Sequence, residues 1–342
     1  MSTLQIGLAV AGGLVLAAVV AHGAWTSRKM APRQATQAEP DRVPSGPIEP
    51  RLEADAFSPG AFVLPVAEKR APLDSLIDVI APISLESAIS GEAALAALPS
   101  TRRVGSKPFA VEGLNTVTGV WEPPTAGSRY DALQAGEQSA NRLGALNDIE
   151  FSEFVVKEQE FCDAVGGTPD FPDMLEEVAR GRELDQFASA NDAQLEFTLR
   201  ARSTAWSPGF VQQQAARLGF VAGAMPGRMV LPSSVAGLPP VLGLSFDPQA
   251  ALAEDPAQTA IREVSLSLDV AQVDRAERPF VRMRESAKAL ATAMEGEITD
   301  DNGRPLPADA LDVIGSELEK LYDNLEQRDL AVGSALARRL FS

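Results

Sequence analysis

From Gln194 the chain reads QLEFTLRA, with Leu195, Phe197 and Leu199 on one side of a two-residue period and Glu196, Thr198 and Arg200 on the other. Such alternation predicts a strand with one buried and one wet face. REVSLSLDVA repeats the pattern, turning Val264, Leu266, Leu268 and Val270 inward and Ser265, Ser267 and Asp269 outward. RMVLP and PVLGLSFD read as short strands around a GLP turn. Elsewhere the period is helical. Phe280, Met283, Ala287, Leu290 and Met294 form a stripe in PFVRMRESAKALATAMEG, and Leu311, Ile314, Leu318, Leu321 and Leu325 another in ADALDVIGSELEKLYDNL; both predict amphipathic helices. SPGFVQQQAARLG opens with Ser207 and Pro208, a cap followed by the residue best suited to the first helical position.

Upstream, LIDVIAPI predicts a strand and SGEAALAAL a short helix capped by Ser90. KPFAVEG and the stretch around Trp121 read as strands with a polar NTVTG turn between them, and RYDALQAGEQSAN as another strand. Two helices follow, SEFVVKEQEFCDAV and PDMLEEVARGRELDQFA, the second predicted to bury Met174, Leu175, Val178, Leu184 and Phe187. Residues 73–191 and 192–330 are thus each written βαβββ followed by two helices. The pattern predicts an α+β class, an antiparallel sheet with helices packed on one face, with residues 73–191 either a degenerate second copy by internal duplication or an insertion. Residues 331–342 read as a tail.

The N-terminus follows different rules. Residues 6–25 contain no Asp, Glu, Lys or Arg. About 20 residues at about 1.5 Å each give a helix of roughly 30 Å, the thickness of a bilayer's apolar core. Residues 1–5 carry no cation, whereas Arg28, Lys29 and Arg33 follow the span. A secretory signal would carry its basic region in front. The positive-inside rule therefore predicts a single span in the bilayer, with residues 1–5 outside and the rest in the cytoplasm. Residues 26–72, punctuated by Pro32, Pro40, Pro44, Pro47, Pro50 and Pro59, read as a tether, with a reach of roughly 35–40 Å by random-coil scaling.

Charge and rare residues narrow the chemistry. The net charge is -17, which argues against nucleic acid as the main partner. The one Cys, Cys162, shares a helical face with Phe154, Phe161 and Val165 and reads as a core thiol in a reducing compartment. The one His, His22, lies in the apolar span. No Ser-His-Asp triad, Cys-His pair or His-ligated zinc can be built from the remainder. Carboxylate-only or lysine-based chemistry stays open. ITDDNGRPLP, residues 298–307, lacks the alternating ligands and terminal Glu of a calcium loop and reads as a turn. No phosphate-cradling glycine motif follows a strand. The expectation is a protein without catalytic site, cofactor, metal or small-molecule substrate.

An anchor ending in HGAWTSRK, a proline-rich tether, and the stretch PFVRMRESAKALATAMEGEITDDNGRPLPADALDVIGSELEKL at residues 279–321 together resemble the ZipA family of bacterial cell-division proteins. RLGFVAGAM and VSLSLDV add to the resemblance, which covers residues 4–30 and 192–330. It implies a non-enzymatic adaptor tethered to the inner membrane, whose C-terminal domain takes the tail of the tubulin-like division protein FtsZ in a shallow groove on an open sheet face. Carried over residue by residue, the groove would involve Gln194 and Glu196, the turn at Met225 and Gly227, and Ser265 and Ser267. These outward positions are polar apart from Met225, so a second candidate lies in the first half, where both faces are apolar: Ile80, Phe109 and Val111. The alternatives are a division scaffold that does not bind FtsZ and an envelope protein facing the periplasm.

Overall fold

A computed structural model describes residues 32–35, 72–255, 259–300 and 302–342. The apolar stretch 6–25, Arg28, Lys29 and all of the tether except 32–35 and 72 lie outside the described residues. No helix among the described residues is long and apolar enough to cross a membrane. The chain divides into two units. One comprises Ala67–Ala193, Val270–Arg275 and Glu317–Ser342; the other holds Gln194–Asp269 and Ala276–Ser316, together with residues 32–35.

The first unit begins with β1 (Asp78–Ser90), α1 (Gly91–Ala97), β2 (Arg103–Val104), β3 (Lys107–Asn115), β4 (Trp121–Glu122) and β5 (Arg129–Gln138). A small pair, β6 (Ala140–Asn141) and β7 (Gly144–Ala145), precedes α2 (Asp148–Val165), β8 (Gly167–Pro169) and α3 (Met174–Asn191). The sheet runs β2-β3-β5-β1-β8, with β4 also on β3, and its pairings are antiparallel. Its inner face, Val79, Ala81, Ile83, Phe109, Val111, Leu133 and Ala135, packs with Phe151, Phe154, Phe161 and Val178 into one core. Helix starts follow local chemistry: Ser90 Oγ accepts from the Ala93 amide, and Asn147 and Asp173 carboxamide and carboxylate oxygens accept from the first-turn amides of α2 and α3. Gly166, at φ 71°, ends α2 in the left-handed conformation.

Leu175 departs from expectation. The expected buried side of α3 includes it, but it is 68 % exposed. The buried stripe is Val178, Gly181, Leu184, Ala188 and Asn191, and at 100° per residue Leu175 lies about 140° round the helix from its middle. Gly181 sets that orientation, since a Cβ there would come 2.8 Å from the Ser139 carbonyl oxygen.

The second unit holds β9 (Gln194–Ala201), α4 (Pro208–Ala216), β10 (Val221–Ala222), β11 (Arg228–Leu231), β12 (Leu242–Ser245), α5 (Pro248–Ala251), β13 (Glu263–Asp269), α6 (Pro279–Met294) and β14 (Gly296–Thr299). Its antiparallel sheet is ordered β10-β11-β12-β13-β9-β14. Phe197, Leu199, Leu242, Leu244, Val264, Leu266 and Leu268 are buried, as are the five predicted stripe residues of α6. The Phe197 and Phe280 rings meet edge to face at 6.4 Å. Trp206 is wholly buried, and its indole N–H donates to the Met294 carbonyl at 2.7 Å.

Residues 32–35 of the expected tether and the expected tail 331–342 are organised. The Arg33 amide donates to Ala205 O at 2.7 Å, its carbonyl accepts from the Ser207 amide at 2.8 Å, and its guanidinium pairs with Glu295. Arg33, assigned to topology, thus also bonds within the second unit. After α7 (Ala308–Glu326), the expected tail forms α8 (Ala335–Leu340), capped by Ser334. Leu340 and Phe341 are buried, and Arg339 pairs with buried Asp78 of the first unit. The apolar spacing of Leu330, Val332, Ala337 and Leu340, rather than chain position, decides this.

The two sheets share a connection pattern. In each, the first strand (β1 or β9) lies between two later ones: β5 and β8, or β13 and β14. In each, a long helix links those two later strands, and a further long helix follows.

Candidate functional site

β9 and β13 pair in a register that lines up Gln194 with Asp269, Glu196 with Ser267 and Thr198 with Ser265. β12 extends the rows, placing Gly243 beside Ser267 and Ser245 beside Ser265. Because side chains alternate, every residue in these rows leaves the sheet on the side opposite the core. The result is a polar face with a shallow depression of about 380 Å³ lined by Gln194, Glu196, Ser267 and Asp269. Gly243 keeps the adjoining rung flat, since a Cβ there would lie 2.6 Å from Ser267 Oγ. At the other end of the strands an Arg200–Glu263 ion pair at 2.8 Å spans β9 and β13.

The sequence-predicted residues divide accordingly. Gln194, Glu196 and Ser267 come together in the depression, with Ser265 one rung further along the face. Met225 and Gly227 do not line it. They sit in the β10–β11 turn, next to the Ser245 end of β12, where the Phe246 amide donates to Gly227 O at 2.9 Å. Met225 is 54 % exposed. Gly227 has φ 73°, and a Cβ there would lie 2.6 Å from Phe246 O, so the turn requires glycine.

Phe109 and Val111 turn their side chains into the first unit's core, 2 % and 6 % exposed. Strand alternation aims both toward α2, where the Phe109 and Phe154 rings lie 6.1 Å apart, so neither side chain is available to a partner. Ile80 lies on the opposite face, half-buried, opposite Gly136 of β5. Leu73 packs against that glycine, at 2.7 Å from where a Cβ would stand.

Sequence reasoning missed a set of buried ionisable groups in the first unit. Lys107 is fully buried; its Nζ donates to Asn141 Oδ1 at 2.9 Å and to Gly144 O, and burial lowers its pKa. Glu137 and Glu158 are also fully buried, and neither carboxyl has a hydrogen-bond partner. Desolvation pushes each to about 9, so both are neutral at pH 7. Burial, with Glu158 close by, pushes the Cys162 thiol up to about 12, so it is held protonated and is not a thiolate nucleophile. The only signal in the sequence was the placing of Glu158 between Phe154 and Cys162 on one helical face.

Of residues 298–307, the first two end β14 and the described residues that follow turn the chain. The Arg304 amide donates to Asp300 Oδ1 at 2.7 Å, and Gly303 has φ 76°. Among the described residues no group of three or more His, Cys, Asp or Glu is arranged to hold a metal ion.

No curated protein matches the chain. Residues 250–317, which run from α5 through β13, α6 and β14 into α7, match the family model of ZipA, C-terminal FtsZ-binding domain, the family that residues 279–321 resemble.

Proposed function

We propose that the chain is a cell-division adaptor that takes the C-terminal tail of FtsZ on the open face of the β9–β14 sheet and holds FtsZ polymers at the cytoplasmic face of the inner membrane. The observation that carries this reading is the position of the family match. It covers β13, α6 and β14, which build and back the face holding Gln194, Glu196 and Ser267. The apolar span 6–25, followed by Arg28 and Lys29, supports the membrane tether. The shared connection order of the two sheets supports a duplication in which the first unit is the diverged copy.

The face sets an expectation for strength. Each buried Leu or Phe of a peptide contributes about 1.5–3 kcal/mol only if apolar surface covers it, and Glu196, Ser265, Ser267 and Gly243 offer little. Single contacts are therefore weak, and many tethered copies on one polymer supply the affinity. The test is a fluorescence-anisotropy titration of labelled FtsZ tail peptide with the full chain. Saturation in the tens to hundreds of micromolar supports the reading; no binding at hundreds of micromolar removes it. A reporter fused to the C-terminus tests the orientation.

The polarity of the same face favours a second reading, a division scaffold that reaches midcell without FtsZ. Depleting FtsZ separates the two, because only the scaffold would still gather there.

A further inference from the structure

The β3 edge of the first unit is covered only at its two ends. β2 pairs with Lys107 and Pro108, and β4 with Gly113 and Leu114. Between them the Phe109 amide points away from β5 and donates to Arg102 O at 3.0 Å. Peptide groups along a strand point to alternate edges. Val111, two residues on, therefore aims its N–H and C=O to the same side, where no described strand pairs with it. A groove of about 160 Å³ lies over this edge, walled by Leu98, Pro99, Arg102, Pro123 and Pro124; Glu112 also lines it, its carboxylate accepting from the Leu73 amide and the Gln134 side chain. Three prolines in the wall have no N–H with which to pair the edge from within the unit.

The other sheet shows what such an edge accepts. By the shared connection order β12 corresponds to β3, and the edge of β12 carries a complete strand, β11, in continuous register from Arg228 to Leu231. Met229 and Leu231 of that strand are buried, while Arg228 is exposed. An extended segment with alternate apolar residues fills the position in one unit, and the position is open in the other.

Charge selects the occupant. In a chain of net charge -17, three cations gather at this corner. Arg102 lines the groove; Arg103 donates to Ser106 O at 2.9 Å; Lys157 donates to Thr101 Oγ1 at 2.8 Å and lies 5.6 Å from the centre of the Phe109 ring. None of the three is ion-paired among the described residues. We infer that the open edge of β3 is a strand-addition site for an extended segment of a partner protein in which alternate apolar side chains adjoin a carboxylate. Main-chain bonds to Val111 fix the strand, the apolar walls take its side chains, and Arg102 takes the acid. This site is distinct from the β9–β13 face and stands whether or not that face binds FtsZ.

The probe is the fluorescein-labelled peptide acetyl-Gly-Val-Ala-Val-Asp-Glu-Gly-amide, titrated against the full chain, with a counterpart in which two Lys replace Asp and Glu. The acidic peptide is expected to bind at least about tenfold more tightly, and Arg102→Glu to remove that preference. Methylating the alternate peptide amides that face the edge should abolish binding, and methylating the other set should leave it within about threefold. Hydrogen–deuterium exchange across residues 107–115 should slow on binding. Absence of binding at 1 mM (a ceiling of about 4 kcal/mol) overturns the proposal. So does equal affinity for the two peptides, indifference to methylation, or protection that appears at 263–269 instead.

Discussion

Replacing Glu158 with Gln isolates one titration inside the core of the first unit. Glu158 is wholly buried on α2 with both carboxyl oxygens unpartnered, and desolvation raises its pKa from 4.5 to about 9. Below pH 4.5 the carboxyl is protonated in folded and unfolded chains alike, so its protonation costs nothing. Above that, the unfolded chain releases the proton while the folded one keeps it. Stability then falls by about 1.4 kcal/mol per pH unit until the folded carboxyl itself ionises near pH 9. At pH 7 the loss is about 3 kcal/mol, a large part of the roughly 5–15 kcal/mol available to a domain. Gln has the same shape and does not titrate. The neutral acid already lacks a partner, so the exchange leaves little offset at pH 5. The variant should therefore gain on the native protein steadily between pH 5 and pH 8. Glu137 titrates in both proteins and cancels from the difference. Urea unfolding read by pulsed deuterium labelling of residues 148–165 measures the gap unit by unit. A gap that stays flat across that range would refute the assignment of a neutral, unpartnered acid at this position.

Three shorter expectations accompany it. Trp206→Phe should destabilise the second unit by about 2–4 kcal/mol, from the lost indole bond to Met294 O plus a partial cavity, as read by the urea midpoint. Cys162 should not react with a disulfide reagent at pH 8 in the folded protein, because its thiol sits near 12 and is buried, and should react fully in denaturant. Ser267→Val adds apolar area to the depression; burying about 40 Å² of it under a peptide would tighten FtsZ-tail binding about fivefold in the anisotropy titration, whereas an unchanged affinity would move the peptide off this face.

The second unit was legible because its strands have one wet face. In QLEFTLRA and VSLSLDV each outward position is polar, so period and register could be read together. α6 was equally plain, since its five stripe residues are all buried. The first unit was harder in a physical sense. β3 and β5 are buried on both faces along much of their length, so alternation does not separate inward Phe109 and Val111 from the opposite side. α3 was read as a helix, but one position of its buried stripe was misassigned for another reason. Its contact face is centred on a glycine, which no hydrophobicity pattern weights, and Leu175 was drawn into the stripe in its place. The edge groove was invisible because it consists of a peptide group and three prolines brought together by topology.

That topology bears on why one chain would carry two sheets of the same plan. On the proposed duplication, one copy is released from keeping every edge sealed. In the second unit β11 and β10 close the β12 edge, and the face is what remains open. In the first unit only two-residue strands, β2 and β4, pair along that side of β3, at its ends. An exposed edge is an aggregation hazard unless it is short, charged or blocked. Here the gap is confined to the stretch around Val111, walled by prolines and guarded by Arg102, which is too short to template a second sheet yet long enough to take a few residues of a partner. On the proposed reading, a polymer tail would meet the face of one sheet while a different acidic segment meets the edge of the other. Two weak sites of different chemistry on one tethered chain would then add through effective concentration rather than through the strength of either contact.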